Sequence, residues 1–105
     1  MGFLNIFKQP DINAGVDQFQ KIDNAVLIDV RTEGEYRSGH IEGSINIPLQ
    51  NISDVQNRIK ELNTPIFVHC LSGGRSAKAA SALKSMGYTN VTNIGGINGY
   101  RGKVV

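Results

Sequence analysis

Apolar residues in this chain cluster in two ways, as short unbroken runs and as faces spaced for helices. The unbroken runs are Ala25-Val26-Leu27-Ile28-Asp29-Val30 and Pro65-Ile66-Phe67-Val68-His69, with shorter ones at Ser44-Ile45-Asn46-Ile47-Pro48 and Asn90-Val91-Thr92-Asn93-Ile94. Runs of this kind, without alternation, mark strands covered on both faces, as in parallel sheets. Between them the spacing predicts helices. One runs from Ala14 to Lys21 with Val16, Phe19 and Gln20 inward, and a short one follows Thr32, whose capping box with Glu35 opens it, through Arg37. A third carries Ile52, Val55, Ile59 and Leu62 on one face behind a Ser53–Gln56 capping box, and a fourth runs from Arg75-Ser76 to Met86 and stops at Gly87. Ser38-Gly39-His40 and Gly95-Gly96 read as turns, and Ile97 to Arg101 as at most one helical turn. Strands alternating with helices over short connections predict an α/β domain with a mainly parallel sheet. Residues 1–13 are expected to form an arm, broken off by Pro10, and residues 14–105 a single domain.

The chain has 105 residues, 40% hydrophobic and 19% charged, in the range of ordinary globular domains. Its one cysteine precludes an intrachain disulfide, and with two scattered histidines it argues against zinc. A lone thiol suits a reducing compartment, so a cytoplasmic protein is expected. The stretch Met1 to Lys8 is apolar but too short for a signal sequence or a membrane span, and Ile6 stands where myristoylation would want Ser or Thr. Charge is uneven. Residues 1–61 hold nine acidic and six basic side chains, whereas residues 62–105 hold no Asp or Glu but Arg75, Lys78, Lys84, Arg101 and Lys103. That bias favours a small anion or an acidic partner surface, with Lys84 read as a solvated outer-face residue. Without a basic run or interleaved aromatics, nucleic acid is not expected as a partner.

The chemistry concentrates after the Pro65–His69 strand, in Cys70-Leu71-Ser72-Gly73-Gly74-Arg75-Ser76. Gly73 and Gly74 allow the backbone to curl with its amides inward, above the N-terminus of a helix. Inward amides and the helix dipole together make an anion cradle. Cys70, at its mouth, is expected to ionise below the free-thiol value of about 8.5. The loop therefore reads as a thiolate nucleophile in an anion-binding nest, with Cys70 catalytic and Leu71, Ser72, Gly73, Gly74, Arg75 and Ser76 binding substrate. Arg31, at the end of another strand, either borders the pocket and meets an anionic donor or forms a structural ion pair. Asp29 reads as structural, tying down loop amides or an arginine. His69 should point away from Cys70 across the sheet and pack, Ser76 should cap its helix rather than attack anything, and His40 looks catalytic in isolation.

These residues resemble the rhodanese (sulfurtransferase) family. The landmarks are Leu27-Ile28-Asp29-Val30-Arg31, Glu35-Tyr36, Gly39-His40-Ile41-Glu42-Gly43-Ser44-Ile45-Asn46-Ile47-Pro48, Val68-His69-Cys70, Gly74-Arg75-Ser76, Ala79-Ala80, Leu83, Gly87-Tyr88, Asn90-Val91 and Gly95-Gly96, in that order. The resemblance implies a rhodanese-like fold, a mostly parallel central sheet of about five strands flanked by helices on both faces, and a turn-fixing role for His40. It also implies that Cys70 takes a sulfane sulfur from a donor such as thiosulfate or a low-molecular-weight persulfide. The sulfur is held as a persulfide and handed to cyanide, a thiol or an acceptor protein, by a monomer that needs no metal or organic cofactor. Four residues separate Cys70 from Arg75, the sulfurtransferase spacing, whereas the phosphatases and arsenate reductases of this fold carry five. The alternatives are a non-catalytic rhodanese-type binding module and such a phosphatase. Two departures stand out: Leu71 follows the cysteine where thiosulfate-preferring members often have a basic residue, and Tyr100 stands where many have tryptophan.

Overall fold

The computed structural model describes residues 10–105, so the apolar run of the expected arm lies outside the described residues. The order is α1 (Ile12–Gln20), β1 (Val26–Asp29), α2 (Glu33–Arg37), β2 (Ser44–Asn46), a 3-10 segment (Leu49–Asp54), α3 (Val55–Arg58), β3 (Ile66–Cys70), α4 (Gly74–Ser85), β4 (Val91–Gly96) and a 3-10 turn (Ile97–Gly99). The strands form one sheet in the order β2-β1-β3-β4, and every pairing is parallel. The sheet among the described residues has four strands, not the five or so expected. β1 and β3 lie at its centre, which is why their sequences are the most continuously apolar.

Strand pleating sorts the core into two layers. On one side Ile28, Val30, Val68 and Cys70 pack with Ile52, Val55, Ile59, Ala79, Leu83 and Tyr88 beneath the 3-10 segment, α3 and α4. On the other, Leu27, Phe67 and Ile94 pack with Ile12 and Val16 of α1, and half-buried Phe19 and Tyr100 close the edge. Helices therefore cover both faces, as expected.

Several local expectations are revised. α1 starts two residues early because the Asp11 carboxylate accepts from the amides of Asn13 and Ala14; its buried residues are Ile12, Gly15 and Val16, and Gln20 is exposed. The long helix expected from Ile52 to Leu62 is a 3-10 segment kinked at Asn51 and then the four residues of α3; Ile59 is extended and Leu62 is half exposed. Its buried residues still meet the core, because Tyr88 donates from its hydroxyl to the Ile59 carbonyl at 2.6 Å and draws that chain inward. The Ser53–Gln56 box does not cap it: Asp54 takes the cap position without a side-chain bond. The Thr32–Glu35 box, by contrast, forms in both directions.

The largest revision concerns Gly95-Gly96, which continue β4 rather than turn. Val68 faces Asn93 but His69 faces Gly95, so Ile94 is an extra residue and β4 bulges. The bulge brings Gly96 beside Cys70 in register and against the loop that follows it.

Candidate active site

β3 ends at Cys70 and α4 begins at Gly74, so the connection is only three residues long. Gly73 makes the sharp return with φ of 109° and stands as the N-cap of α4; Gly74 is already helical. Gly96 is the second requirement for this packing. A Cβ there would lie 2.3 Å from the Leu71 carbonyl oxygen and 2.6 Å from Ser72 Cα, so only glycine lets β4 pass this close to the loop. The Leu71 carbonyl is fixed in turn by the Asn98 amide at 3.1 Å.

Cys70 is 1% exposed. The Gly73 amide donates to its sulfur at 3.0 Å. Burial pushes the thiol pKa up, but the Ser76 hydroxyl and the amides of Ser76, Gly73 and Ser72 outweigh it, and the net shift is downward. These donors favour the thiolate because each is a dipole aimed at the charge. Ser76 is fully buried and lies within reach of more than the sulfur: its oxygen is 2.7 Å from Asn93 Oδ1 and 3.1 Å from the Gly73 carbonyl. Asn93 Oδ1 also accepts from the Gly95 amide at 3.0 Å, which pins the bulge to the helix start.

The remaining residues divide. Leu71 is 43% exposed at the rim, Ser72 and Gly74 are exposed, and Arg75 is half buried. Arg75 does not present a free charge: its two terminal nitrogens meet the two carboxylate oxygens of Glu35 at 2.7 and 3.0 Å. The Arg75 bond, and after it the Thr32 amide, hold the Glu35 carboxyl at a pKa of about 2. Arg31 is held in the interior by an ion pair. Its guanidinium is buried against Asp29, with Nη2 2.7 Å from Oδ2, and also donates to the Gly39 carbonyl at 2.8 Å. Of the two readings open for Arg31, the ion pair is the one observed. Asp29 further accepts from the Arg31 amide, and Asn46 donates to the carbonyls of Asp29 and Arg31, so this strand end is closed on itself.

His69 lies on the sheet face opposite the cysteine, fully buried. Its Nδ1 donates to the Cys70 carbonyl at 3.1 Å, and its Nε2 has no hydrogen-bond partner among the described residues, with Asp29 Oδ2 3.7 Å away. Burial keeps its pKa low, against the pull of Asp29, and its place on the other face of the sheet keeps it from serving as the base of a Cys-His pair. His40 stacks on Tyr36 with centroids 3.8 Å apart and pairs through its backbone with Val105, a turn-fixing arrangement. Glu35 and Asn93 escaped the sequence reading as site residues: their partners lie 40 and 17 positions away, and nothing local signals the pairing.

Among the described residues no group of three His, Cys, Asp or Glu side chains could hold a metal, and no helix is long and apolar enough to cross a membrane. A groove of about 530 Å³ runs beside the loop, bordered by Asp11, Asn13, Ser72, Gly73, Asn98 and Arg101.

The family model for the rhodanese-like domain matches residues 14–103. The chain is 38% identical over 71 residues to the thiosulfate sulfurtransferase PspE of Escherichia coli, covering 67% of this chain and 68% of that one. To the thiosulfate sulfurtransferase GlpE of Pseudomonas fluorescens it is 36% identical over 72 residues, covering 69% of this chain and 65% of the relative. It thus spans about two thirds of the length of these relatives. Among solved structures, a rhodanese with anions from E. coli superposes with a TM-score of 0.72 at 34% identity, covering 77% of this chain and 96% of that one.

Proposed function

The chain belongs to the rhodanese-like domain family, and on that premise we propose that it is a sulfurtransferase which carries a sulfane sulfur on Cys70. The observation that carries this reading is the buried Cys70 sulfur at the head of the loop, where the Gly73 amide donates to it at 3.0 Å and its neighbours in the loop and at the helix start hold the thiol pKa down. In the first half-reaction the Cys70 thiolate attacks the outer sulfur of thiosulfate. The S–S bond of the donor breaks, sulfite leaves with the bonding pair, and Cys70 holds a persulfide anion. In the second, cyanide attacks the outer sulfur and leaves as thiocyanate, or a thiolate attacks and leaves as a new persulfide; the Cys70 thiolate is regenerated. Preorganised donors stabilise the anion on Cys70 before and after loading, and the same amides face the departing anion.

Two features support transfer of a single sulfur atom. Cys70 is 1% exposed, so only the terminal atom of a donor reaches it, and four residues separate it from Arg75. No feature of the site favours the phosphatase alternative, and a binding module has no need of donors aimed at a thiol. Sulfur donors and thiol or cyanide acceptors are the partners, with an acceptor protein's cysteine as the route out in the cell. The protein acts as a monomer, in a reducing cytoplasm that keeps Cys70 free, and no cofactor is required.

The test is thiocyanate formation from thiosulfate and cyanide, measured alongside Cys70→Ser. Turnover in the wild type that falls to background in the variant supports the reading. Equal rates in both proteins would refute it.

A further inference from the structure

Arg75 is the only charged side chain of the loop from Cys70 to Ser76, so whatever neutralises it sets the charge a donor meets. Glu35 does so at two points, 2.7 and 3.0 Å, with 31% of its own side chain and 35% of that of Arg75 exposed. The carboxylate is not there by chance rotation. It is the third residue of α2, and its Oε1 accepts from the Thr32 amide at 2.9 Å, so the capping box aims it. Asp29 and Arg31, at the end of the neighbouring strand, neutralise each other in the interior. Asp11 and Arg101, of opposite sign, share the separate groove beside Ser72 and Gly73. With Cys70 as thiolate, the set Cys70, Arg75 and Glu35 carries one net negative charge.

We infer that Glu35 sets the donor class of this site: by holding Arg75 in a two-point ion pair it turns the cysteine away from the thiosulfate dianion and toward sulfane-sulfur donors of lower charge. This inference rests on the sulfurtransferase reading and names its substrate class. A dianion approaching the thiolate feels repulsion that a monoanion feels half as strongly, and Arg75 does not offset it while paired. Loop amides still stabilise the leaving anion of either donor, so both classes react and they differ in rate.

Thiosulfate and methanethiosulfonate separate the two cases. Each presents an outer sulfur bonded to an oxidised sulfur, the first as a dianion that releases sulfite, the second as a monoanion that releases methanesulfinate. With cyanide as acceptor at low ionic strength, Glu35→Gln should raise the ratio of kcat/KM for thiosulfate to that for methanethiosulfonate about five- to tenfold. Glutamine keeps the bond to the Thr32 amide, and a merely structural loss would lower both donors together. The wild type gives a second readout that needs no variant. Added NaCl, from about 0.01 to 0.3 M, should leave that ratio unchanged or raise it, since screening relieves the greater repulsion of the dianion. A ratio within twofold of wild type in Glu35→Gln, or a wild-type ratio that falls with salt, overturns the inference and leaves the sulfurtransferase reading standing. If neither donor adds the mass of one sulfur to the wild-type protein, both fail.

Discussion

The carboxyl edge of the sheet carries two polar clusters that look alike in composition and behave differently. One gathers Asp29, Arg31, Asn46 and His69; the other gathers Cys70, Ser76, Asn93, Arg75 and Glu35. Each holds an arginine–carboxylate pair. The Asp29–Arg31 side chains are 0% and 6% exposed, and apart from His69 Nε2 their partners satisfy them from within the chain. The Glu35–Arg75 pair is about a third exposed, and beside it the Gly73 amide donates to the Cys70 sulfur, whose thiol pKa is held down. Charge at a strand end therefore does not mark a site by itself. What distinguishes the working cluster is donors aimed at an atom that must change its bonding.

The comparison breaks most visibly if one residue is removed from each cluster. Cys70→Ser should abolish sulfur transfer, by about a thousandfold or more, while stability moves by only about 1–2 kcal/mol. Asp29→Asn should do the reverse. Stranding Arg31 in the interior costs about 3–5 kcal/mol, read by chemical denaturation, while the folded fraction keeps its thiocyanate-forming activity within a few fold. Comparable stability losses in both variants would mean that the clusters do not divide labour as described.

Next in size is Gly96→Ala. The added methyl must push the Leu71 carbonyl from 2.3 Å, and a shift of that order displaces the amides that face the sulfur. Activity should fall about a hundredfold, with a stability loss of about 1–3 kcal/mol.

This residue also shows where local sequence stops informing. β1, β3, α4 and the Thr32–Glu35 box were legible because each is specified by its own residues: an apolar run, a glycine stop, a reciprocal cap. Gly95-Gly96 has the composition of a turn, and only the pairing with His69 and Cys70 makes it a bulged strand end. The helix expected from Ile52 to Leu62 had the right apolar spacing, yet the Tyr88 hydroxyl bond to the Ile59 carbonyl holds that residue extended. In the site, Cys70 and the loop amides were readable from a strand-to-helix turn rich in glycine. The pairing of Arg75 with Glu35 and of Ser76 with Asn93 was not, since both arise from tertiary approach.

A smaller effect is expected from Ser76→Ala. Without the hydroxyl, the thiol pKa returns toward its ordinary value, because burial, which raises it, meets one opposing donor fewer. The thiolate is the reactive form, so loading rises with pH through the thiol pKa. The wild-type limb should lie below that of a free thiol, and in Ser76→Ala it should move up, lowering the rate at pH 7. An unshifted limb would remove Ser76 from the thiolate's support.

Smallest is the stability held by Glu35. Its folded pKa of about 2 lies below the ordinary 4.5, so its contribution is complete above 4.5 and is lost as pH falls through about 2. Being partly exposed, the pair is worth under about 1 kcal/mol. Urea unfolding of Glu35→Gln between those two pH values should show a flatter pH dependence than wild type, and an unchanged dependence would remove the pair from the stability of the fold.

The most direct measurement is the intact mass of the protein after incubation with a sulfane-sulfur donor and removal of the excess. The account predicts a gain of one sulfur atom on the wild type, its loss on addition of cyanide with thiocyanate released in equal amount, and no gain in Cys70→Ser. A protein that remains at its unmodified mass with thiosulfate, methanethiosulfonate and glutathione persulfide alike would contradict it.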